Sequence, residues 1–308
     1  MPIVMLLGPT AAGKTDAAVA MAERLDCQLI NMDSTQVYRG LDIGSAKPPK
    51  SLLARHPHAL IDIRDPAEPY TAADFVADAD REVRAALAVG KTPVLVGGTM
   101  LYARAFRDGL AALPRANPEV RSAIEAEAEI QGWPKLHARL AKVDPVAAAG
   151  IHPHNGVRLQ RALEVFETTS RPISDYWKAQ KQSPATERLG GQLLEFAVVP
   201  EDRATLHRRI EARFDAMLKA GFAEEVQRLR QRPDLSPRLP ALRAVGYRQM
   251  WGHLDGEFEA SEMRAKALAA TRQLARRQMT WLRGWPWVKV LPSAAGAAAA
   301  ASLAAAAD

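Results

Sequence analysis

Gly8-Pro9-Thr10-Ala11-Ala12-Gly13-Lys14-Thr15 sets two glycines, a lysine and a threonine at a spacing suited to gripping phosphate. Gly8 and Gly13 let the backbone curl so that successive N–H groups face one anion. Lys14 adds a full positive charge at the outer phosphate, and the Thr15 hydroxyl is placed to ligate Mg2+. The positive end of the following helix dipole strengthens the same field. Such a loop specifies phosphate, not the molecule that carries it. The plain alternative, a glycine-containing strand-to-helix turn, leaves the lysine and threonine without a reason.

Two further loops carry candidate chemistry. Asp33 follows a short apolar segment. It could take a proton from an attacking nucleophile or hold a metal-bound water, and capping of the next turn explains it equally well. Gln36 could read a base edge or lie exposed. Gly97-Gly98-Thr99 follows another apolar segment; the glycines permit close backbone approach, and Thr99 heads the next helix as a cap or as a hydroxyl facing phosphates. Arg209 and Arg213 lie four residues apart, on one face of a helix. They suit a diphosphate, whose oxygens match guanidinium forks, and they suit surface ion pairs with Glu211 or other acids as well.

The elements that position these groups alternate in type. Ile3–Leu7, 28–32 and 93–96 read as buried strands. The spacing predicts helices over 14–25 and 71–89, with Thr71 as N-cap and Gly90 as C-cap. Such alternation predicts an α/β fold, a parallel sheet with helices on both faces. In that architecture ligands bind beyond the carboxyl ends of the strands, which sends Asp33 to the same crevice as Lys14. From 114 to 190 the periodicity is helical only (117–131, 134–142, 155–169), so this stretch is expected to be an all-helical insertion between core segments 1–113 and 191–292. A strand at 193–199, helices at 202–220, 223–231 and 259–283, and a last strand at 287–291 complete the core. Residues 293–308 are nearly all alanine; without an amphipathic face they are expected to form a frayed tail.

Composition narrows the function classes. The net charge of +6 is modest and favours nucleic acid only weakly. Its distribution says more. No acid follows Glu262 in the helix that carries Arg264, Lys266, Arg272, Arg276, Arg277 and Arg283. That bias complements a helix dipole, and with Gln278, Thr280 and Trp281 it also suits phosphate contacts and base stacking. Arg158, Arg161, Arg243 and Arg248 share the ambiguity. Cys27 is the one cysteine, so no intrachain disulfide and no cysteine zinc site can form. His56/His58 and His152/His154 have loop-like, not ligand-like, surroundings. No apolar run approaches the roughly 20 residues a membrane helix needs. A cytoplasmic location is expected, and no acid in the position of a motor ATPase's metal-binding carboxylate is found.

Taken in order, these segments resemble the bacterial tRNA dimethylallyltransferases, also called tRNA isopentenyltransferases. The likeness runs through residues 8–15, 33–38, 42–48, 97–102, 158–165, 243–248 and 276–283. The resemblance implies a P-loop NTPase-like sheet with the helical insertion clasping an anticodon stem-loop. It implies transfer of the dimethylallyl group from dimethylallyl diphosphate to N6 of the adenosine 3′ of the anticodon. Asp33 would then be the base, helped by Thr99 and Lys14. The donor diphosphate would lie on Gly8, Pro9, Thr10, Ala11, Ala12, Gly13, Lys14 and Thr15, with Arg209 or Arg213, and Mg2+ on Thr15. Contacts to tRNA would come from Asp33, Ser34, Thr35, Gln36, Thr99 and Arg121, and from Val157-Arg158-Leu159-Gln160-Arg161. Arg243-Ala244-Val245-Gly246-Tyr247-Arg248 and Arg276-Arg277-Gln278-Met279-Thr280-Trp281-Leu282-Arg283 would supply the rest. The chain is expected to act as a monomer with no membrane partner. Two rival readings share the phosphate loop: a nucleotide or small-molecule kinase, and a non-catalytic nucleotide-gated RNA binder.

Overall fold

A computed structural model describes residues 1–111, 113–179, 183–285 and 288–292 of the chain. The expected tail, and the start of the expected last strand at Trp287, lie outside the described residues. The chain forms two compact units, one of Met1–Asp108 with the residues from Pro184 onward, the other Gly109–Ser183.

The first unit opens with β1 (Ile3–Leu7), α1 (Lys14–Ala22), β2 (Cys27–Asn31), α2 (Lys50–Arg55), β3 (His58–Ala59), α3 (Ala72–Ala88), β4 (Thr92–Gly97) and α4 (Met100–Asp108). The second unit holds α5 (Pro118–Gln131), α6 (Trp133–Val143), α7 (Pro145–Gly150), α8 (Gly156–Thr169) and α9 (Ile173–Ala179). The chain then returns through α10 (Ala185–Leu189), β5 (Leu193–Val199), α11 (Arg203–Lys219), α12 (Phe222–Arg230), α13 (Tyr247–Leu254), α14 (Ala260–Arg283) and β6 (Lys289–Pro292).

Six parallel strands stand in the order β3-β2-β4-β1-β5-β6. Strand β1 sits inside the sheet and is completely buried along its length. Its side chains divide by parity, as strand geometry requires. Ile3, Met5 and Leu7 enter the larger core, with Phe75, Phe106 and Ile210 from α3, α4 and α11. Val4 and Leu6 face the smaller core, covered by Ala17, Ala18 and Met21 of α1. Near-continuous apolar strands follow from burial on both faces.

Capping confirms why several helices begin where they do. The Thr71 side chain accepts from the Asp74 N–H while Asp74 accepts from the Thr71 N–H, a reciprocal box that starts α3. Asn117 and Asp202 cap α5 and α11 in the same way from one side. Gly90 follows the end of α3 at φ 74°.

The unit boundaries fall at 109 and 183, whereas the sequence pattern places them at 114 and 190. Helix α10 joins the sheet-bearing unit for a physical reason. Arg188 makes a two-pronged pair with Asp80 of α3, both contacts 2.9 Å, and donates to the Phe106 carbonyl at 3.0 Å. Ala185 is fully buried in the larger core.

In the second unit Ile124, Leu136, Leu140, Leu159 and Leu163 make a separate helical core. A carboxylate lies inside it. Glu164 has no exposed area, yet it accepts from the Asn117 N–H at 2.7 Å, Arg121 Nε at 3.0 Å and Arg161 NH1 at 2.8 Å. Burial pushes this carboxyl up, but the bonds from Arg161, Asn117 and Arg121 outweigh burial and hold it below its ordinary range.

Candidate active site

Strands β1, β4 and β2 end in step, with Leu7 opposite Gly97 and Asn31 opposite Val96. The three loops that leave these ends therefore begin side by side. They line a cavity of about 950 Å3, together with the 44–49 loop and faces of α11 and α14.

The first loop is the phosphate cradle. Ala11 (φ 61°) and Gly13 (φ 94°) adopt left-handed backbone, which produces the curl. No side chain caps α1, and the first N–H groups of a helix have no partner within it. They remain available to an anion. The Lys14 ammonium donates to the Pro9 carbonyl at 2.8 Å across the mouth of the loop. Burial pulls its pKa down to about 8; Asp33 works against that shift and Arg213 adds to it. Thr15 lines the same cavity.

The second loop carries Asp33. Its Oδ1 accepts from the N–H groups of Thr35 (2.8 Å) and Gln36 (3.3 Å), so the turn-capping alternative is realised by one oxygen. Oδ2 has no hydrogen-bond partner among the described residues. Only one of the two carboxylate oxygens is thus engaged in fixing the turn. The Gln36 amide donates to the Ser45 and Ala46 carbonyls, both at 3.2 Å, so its N–H groups hold the neighbouring loop.

The third loop explains its glycines by close approach. A Cβ on Gly97 would lie 1.9 Å from the Met32 carbonyl oxygen, which no side chain can tolerate. This tight contact brings Thr99 within reach of the Asp33 turn. Thr99 Oγ1 accepts from the Ser34 N–H at 3.0 Å and donates to the Ser34 hydroxyl at 3.3 Å. Its carbonyl accepts from the N–H groups of Tyr102 and Ala103 at the start of α4.

The two arginines of α11 part company. Both line the cavity. Arg209 is exposed, whereas Arg213 is half-buried. Burial lowers the Arg213 pKa and the charge of Asp33 raises it back in part. Arg213 has no ion pair or hydrogen bond among the described residues. A desolvated, unpaired guanidinium beside Lys14 leaves a strong preference for an anion.

Two buried polar residues help build the cavity: Gln278, which the sequence places among RNA contacts, and Glu225, which it does not single out. Gln278 of α14 accepts from the Thr10 N–H at 2.9 Å and donates to the Gly98 carbonyl at 2.8 Å. Glu225 of α12 collects the N–H groups of Asp42, Ile43 and Gly44 and the Tyr247 hydroxyl, at 2.6–3.1 Å. It thereby holds the loop that forms the far wall of the cavity. Burial, with Glu225 adding, drives the Tyr247 pKa upward. The signal for both was periodicity: Gln278 shares a buried stripe with Ala275 and Leu282, and Glu225 with Phe222 and Leu229.

The other expected RNA contacts sort by exposure. Ser34, Val157, Arg158, Arg243, Arg248, Arg276, Arg277, Thr280 and Arg283 are exposed. Trp281 is partly exposed and lies 5.9 Å beneath the Arg104 guanidinium. Ala244, Val245 and Met279 are partly buried, and Gly246 is buried at the N-terminus of α13. Leu159, Tyr247 and Leu282 are core residues. Arg121 and Arg161 serve Glu164, and Gln160 donates to the Arg121 carbonyl and to Glu125.

Among the described residues no group of three or more His, Cys, Asp and Glu could cage a metal. The cavity offers the Thr15 hydroxyl and the Asp33 carboxylate, a sparse oxygen set that fits an ion sharing its ligands with phosphate and water.

A curled phosphate loop at the end of a central parallel strand, with a carboxylate and a free arginine across one cavity, defines a P-loop group-transfer enzyme. The family model described as IPP transferase matches residues 36–285. The chain belongs to that family. It is 54% identical over 299 residues to "tRNA dimethylallyltransferase 2" of Hahella chejuensis, covering 94% of this chain and 90% of that one. It is likewise 54% identical over 290 residues to the tRNA dimethylallyltransferase of Chromohalobacter salexigens, covering 94% and 92%. The crystal structure of the full-length tRNA isopentenylpyrophosphate transferase of Bacillus halodurans matches with TM-score 0.67 and 35% identity, over 95% and 90% of the chains. A eukaryotic dimethylallyltransferase acting on tRNA shares the fold at TM-score 0.78 and 22% identity, over 95% and 74%. No helix among the described residues is long and apolar enough to cross a membrane.

Proposed function

We propose that this chain transfers the dimethylallyl group of dimethylallyl diphosphate to N6 of the adenosine 3′ of the anticodon in tRNA, releasing diphosphate. One observation carries the reading. The unpartnered Asp33 oxygen and the unpaired Arg213 share a cavity with the phosphate cradle. That is the arrangement a nucleophile, a base and an anionic leaving group require together.

The steps follow from the residues. The diphosphate lies on the N–H groups of residues 11–15, with Lys14 and Arg213 against its outer oxygens. These donors stabilise charge as it develops on the leaving group. The allylic C–O bond breaks and its electron pair goes to the diphosphate. The N6 lone pair forms the new C–N bond, and Asp33 takes the N6 proton. Thr99 holds the Asp33 turn through Ser34. Ile210, Phe214, Met217 and Leu274 give the cavity an apolar wall suited to a short hydrocarbon. Mg2+, when bound at Thr15 and the diphosphate, supplies further positive charge to the leaving group. The adenine must leave the stack to reach this cavity, and a loop base does so at low cost. The exposed Arg276, Arg277 and Arg283, with Arg158 in the other unit, are suited to RNA phosphates.

The test is mass analysis of nucleosides from unmodified tRNA incubated with the protein, Mg2+ and dimethylallyl diphosphate. An adenosine heavier by one C5H8 unit is expected. ADP formation from ATP and a small acceptor, with no change in the tRNA, would support the kinase instead.

A further inference from the structure

Gln278 lies between exposed RNA-binding candidates, yet the residue itself is only 7% exposed. Arg276, Arg277 and Thr280 around it face solvent. Helical periodicity turns residue 278 inward, with Ala275 and Leu282, so the same helix presents arginines outward and one amide inward.

We propose that Gln278 is a positioning residue for the diphosphate cradle and not an RNA contact; this rests on the function proposed above. Its two partners are backbone atoms of fixed polarity. The Thr10 N–H can only donate and the Gly98 carbonyl can only accept. A carboxamide satisfies both at once, at 2.9 and 2.8 Å, in a single orientation. Thr10 belongs to the phosphate loop, and its N–H, engaged by Gln278, shapes the curl instead of meeting the anion. Gly98 precedes Thr99, which holds Ser34 beside Asp33. One amide therefore sets the spacing between the half of the site that grips the leaving group and the half that carries the base. Donors aimed at a developing charge work only while held in place.

Substitution separates the two roles. Gln278→Met keeps length and apolar packing but removes both hydrogen bonds. Gln278→Glu keeps the acceptor for Thr10, sets a second oxygen against the Gly98 carbonyl, and adds negative charge beside the anion site. The experiment uses the full chain with Mg2+ and has three readouts. Inorganic pyrophosphate is titrated calorimetrically, a fluorescent anticodon stem-loop RNA is followed by anisotropy, and KM for each substrate is compared with kcat.

For Gln278→Met, pyrophosphate affinity and donor KM should each worsen about tenfold, the order expected for losing two hydrogen bonds. RNA affinity should stay within about twofold. Gln278→Glu should lose more pyrophosphate affinity than Gln278→Met. Pyrophosphate binding unchanged in both variants would overturn the proposal. So would a loss confined to RNA, and so would an equal loss of both ligands with a lowered melting temperature. A wild-type protein that bound no pyrophosphate would overturn the underlying function as well, and that result is read from the wild-type titration alone.

Discussion

Arg121 and Arg161 of the helical unit do opposite work to Arg213 of the sheet-bearing unit. The first two converge on one buried carboxylate, Glu164, so each charge of that cluster has a partner. In the sheet-bearing unit, Arg213 and Lys14 line the cavity with no carboxylate at ion-pair distance among the described residues. The Glu164 cluster closes its charges internally and serves architecture. The charges of Lys14 and Arg213 are left open, which suits them to the anion proposed above. Charge alone does not mark a binding site; desolvated charge without a partner does.

Substitution at Asp33 separates the turn from the chemistry. Asn in its place keeps an oxygen for the Thr35 and Gln36 N–H groups, so the turn survives while the proton acceptor is lost. Prenyl transfer should slow by about 10^2–10^4-fold in single-turnover assays, the usual range for a lost general base. RNA affinity should hold. Near-normal turnover would remove Asp33 from the chemistry.

Glu164→Ala tests the other side. It removes a buried carboxylate from two partly exposed arginines and from the Asn117 N–H, a loss on the order of 1–3 kcal/mol. Denaturant unfolding should register the loss, while pyrophosphate affinity should not move. If pyrophosphate binding fell in step with stability, the two electrostatic systems would not be separate.

Arg213→Ala and Arg209→Ala sharpen the contrast within one helix. Pyrophosphate affinity should fall about 30-fold at Arg213, as for a desolvated charge-assisted contact. At the exposed Arg209 it should change by about threefold or less. Calorimetry on both variants decides which arginine clamps the diphosphate.

Lys14 adds a pH slope. The Lys14 pKa lies near 8 in the empty protein. Bound diphosphate favours the charged form, so binding above that pH requires uptake of a proton. Pyrophosphate affinity should weaken as pH rises past about 8, by up to tenfold per unit. Lys14→Met should abolish that component of the slope.

Much of the fold was legible because local and global signals agree. Leu193–Val199 is a strand where the apolar run predicts one, and Pro118–Gln131 is a helix within the expected 117–131 stretch. What escaped was short or polar. Strand β3 is two residues long and carries no periodicity, yet it completes the edge of the sheet. Helix α13 begins in the Gly246-Tyr247 segment, whose likeness to an RNA-contact motif hid its role in the core. Helix α10 belongs with the sheet because Arg188 finds Asp80, a pairing 108 residues apart in sequence. The cradle was readable because its residues are neighbours along the chain. Its supports, Gln278 and Glu225, come from distant helices, and only a polar residue on a buried stripe betrays them.

A crystal structure of the protein with an unreactive analogue of dimethylallyl diphosphate and Mg2+ would locate the leaving group. Both phosphorus atoms should lie over the N–H groups of residues 11–15, with Lys14 and Arg213 bonded to phosphate oxygens and the allylic carbon turned toward Asp33. Phosphates seated instead on the exposed Arg276 and Arg277, with the cradle empty, would contradict the proposed function.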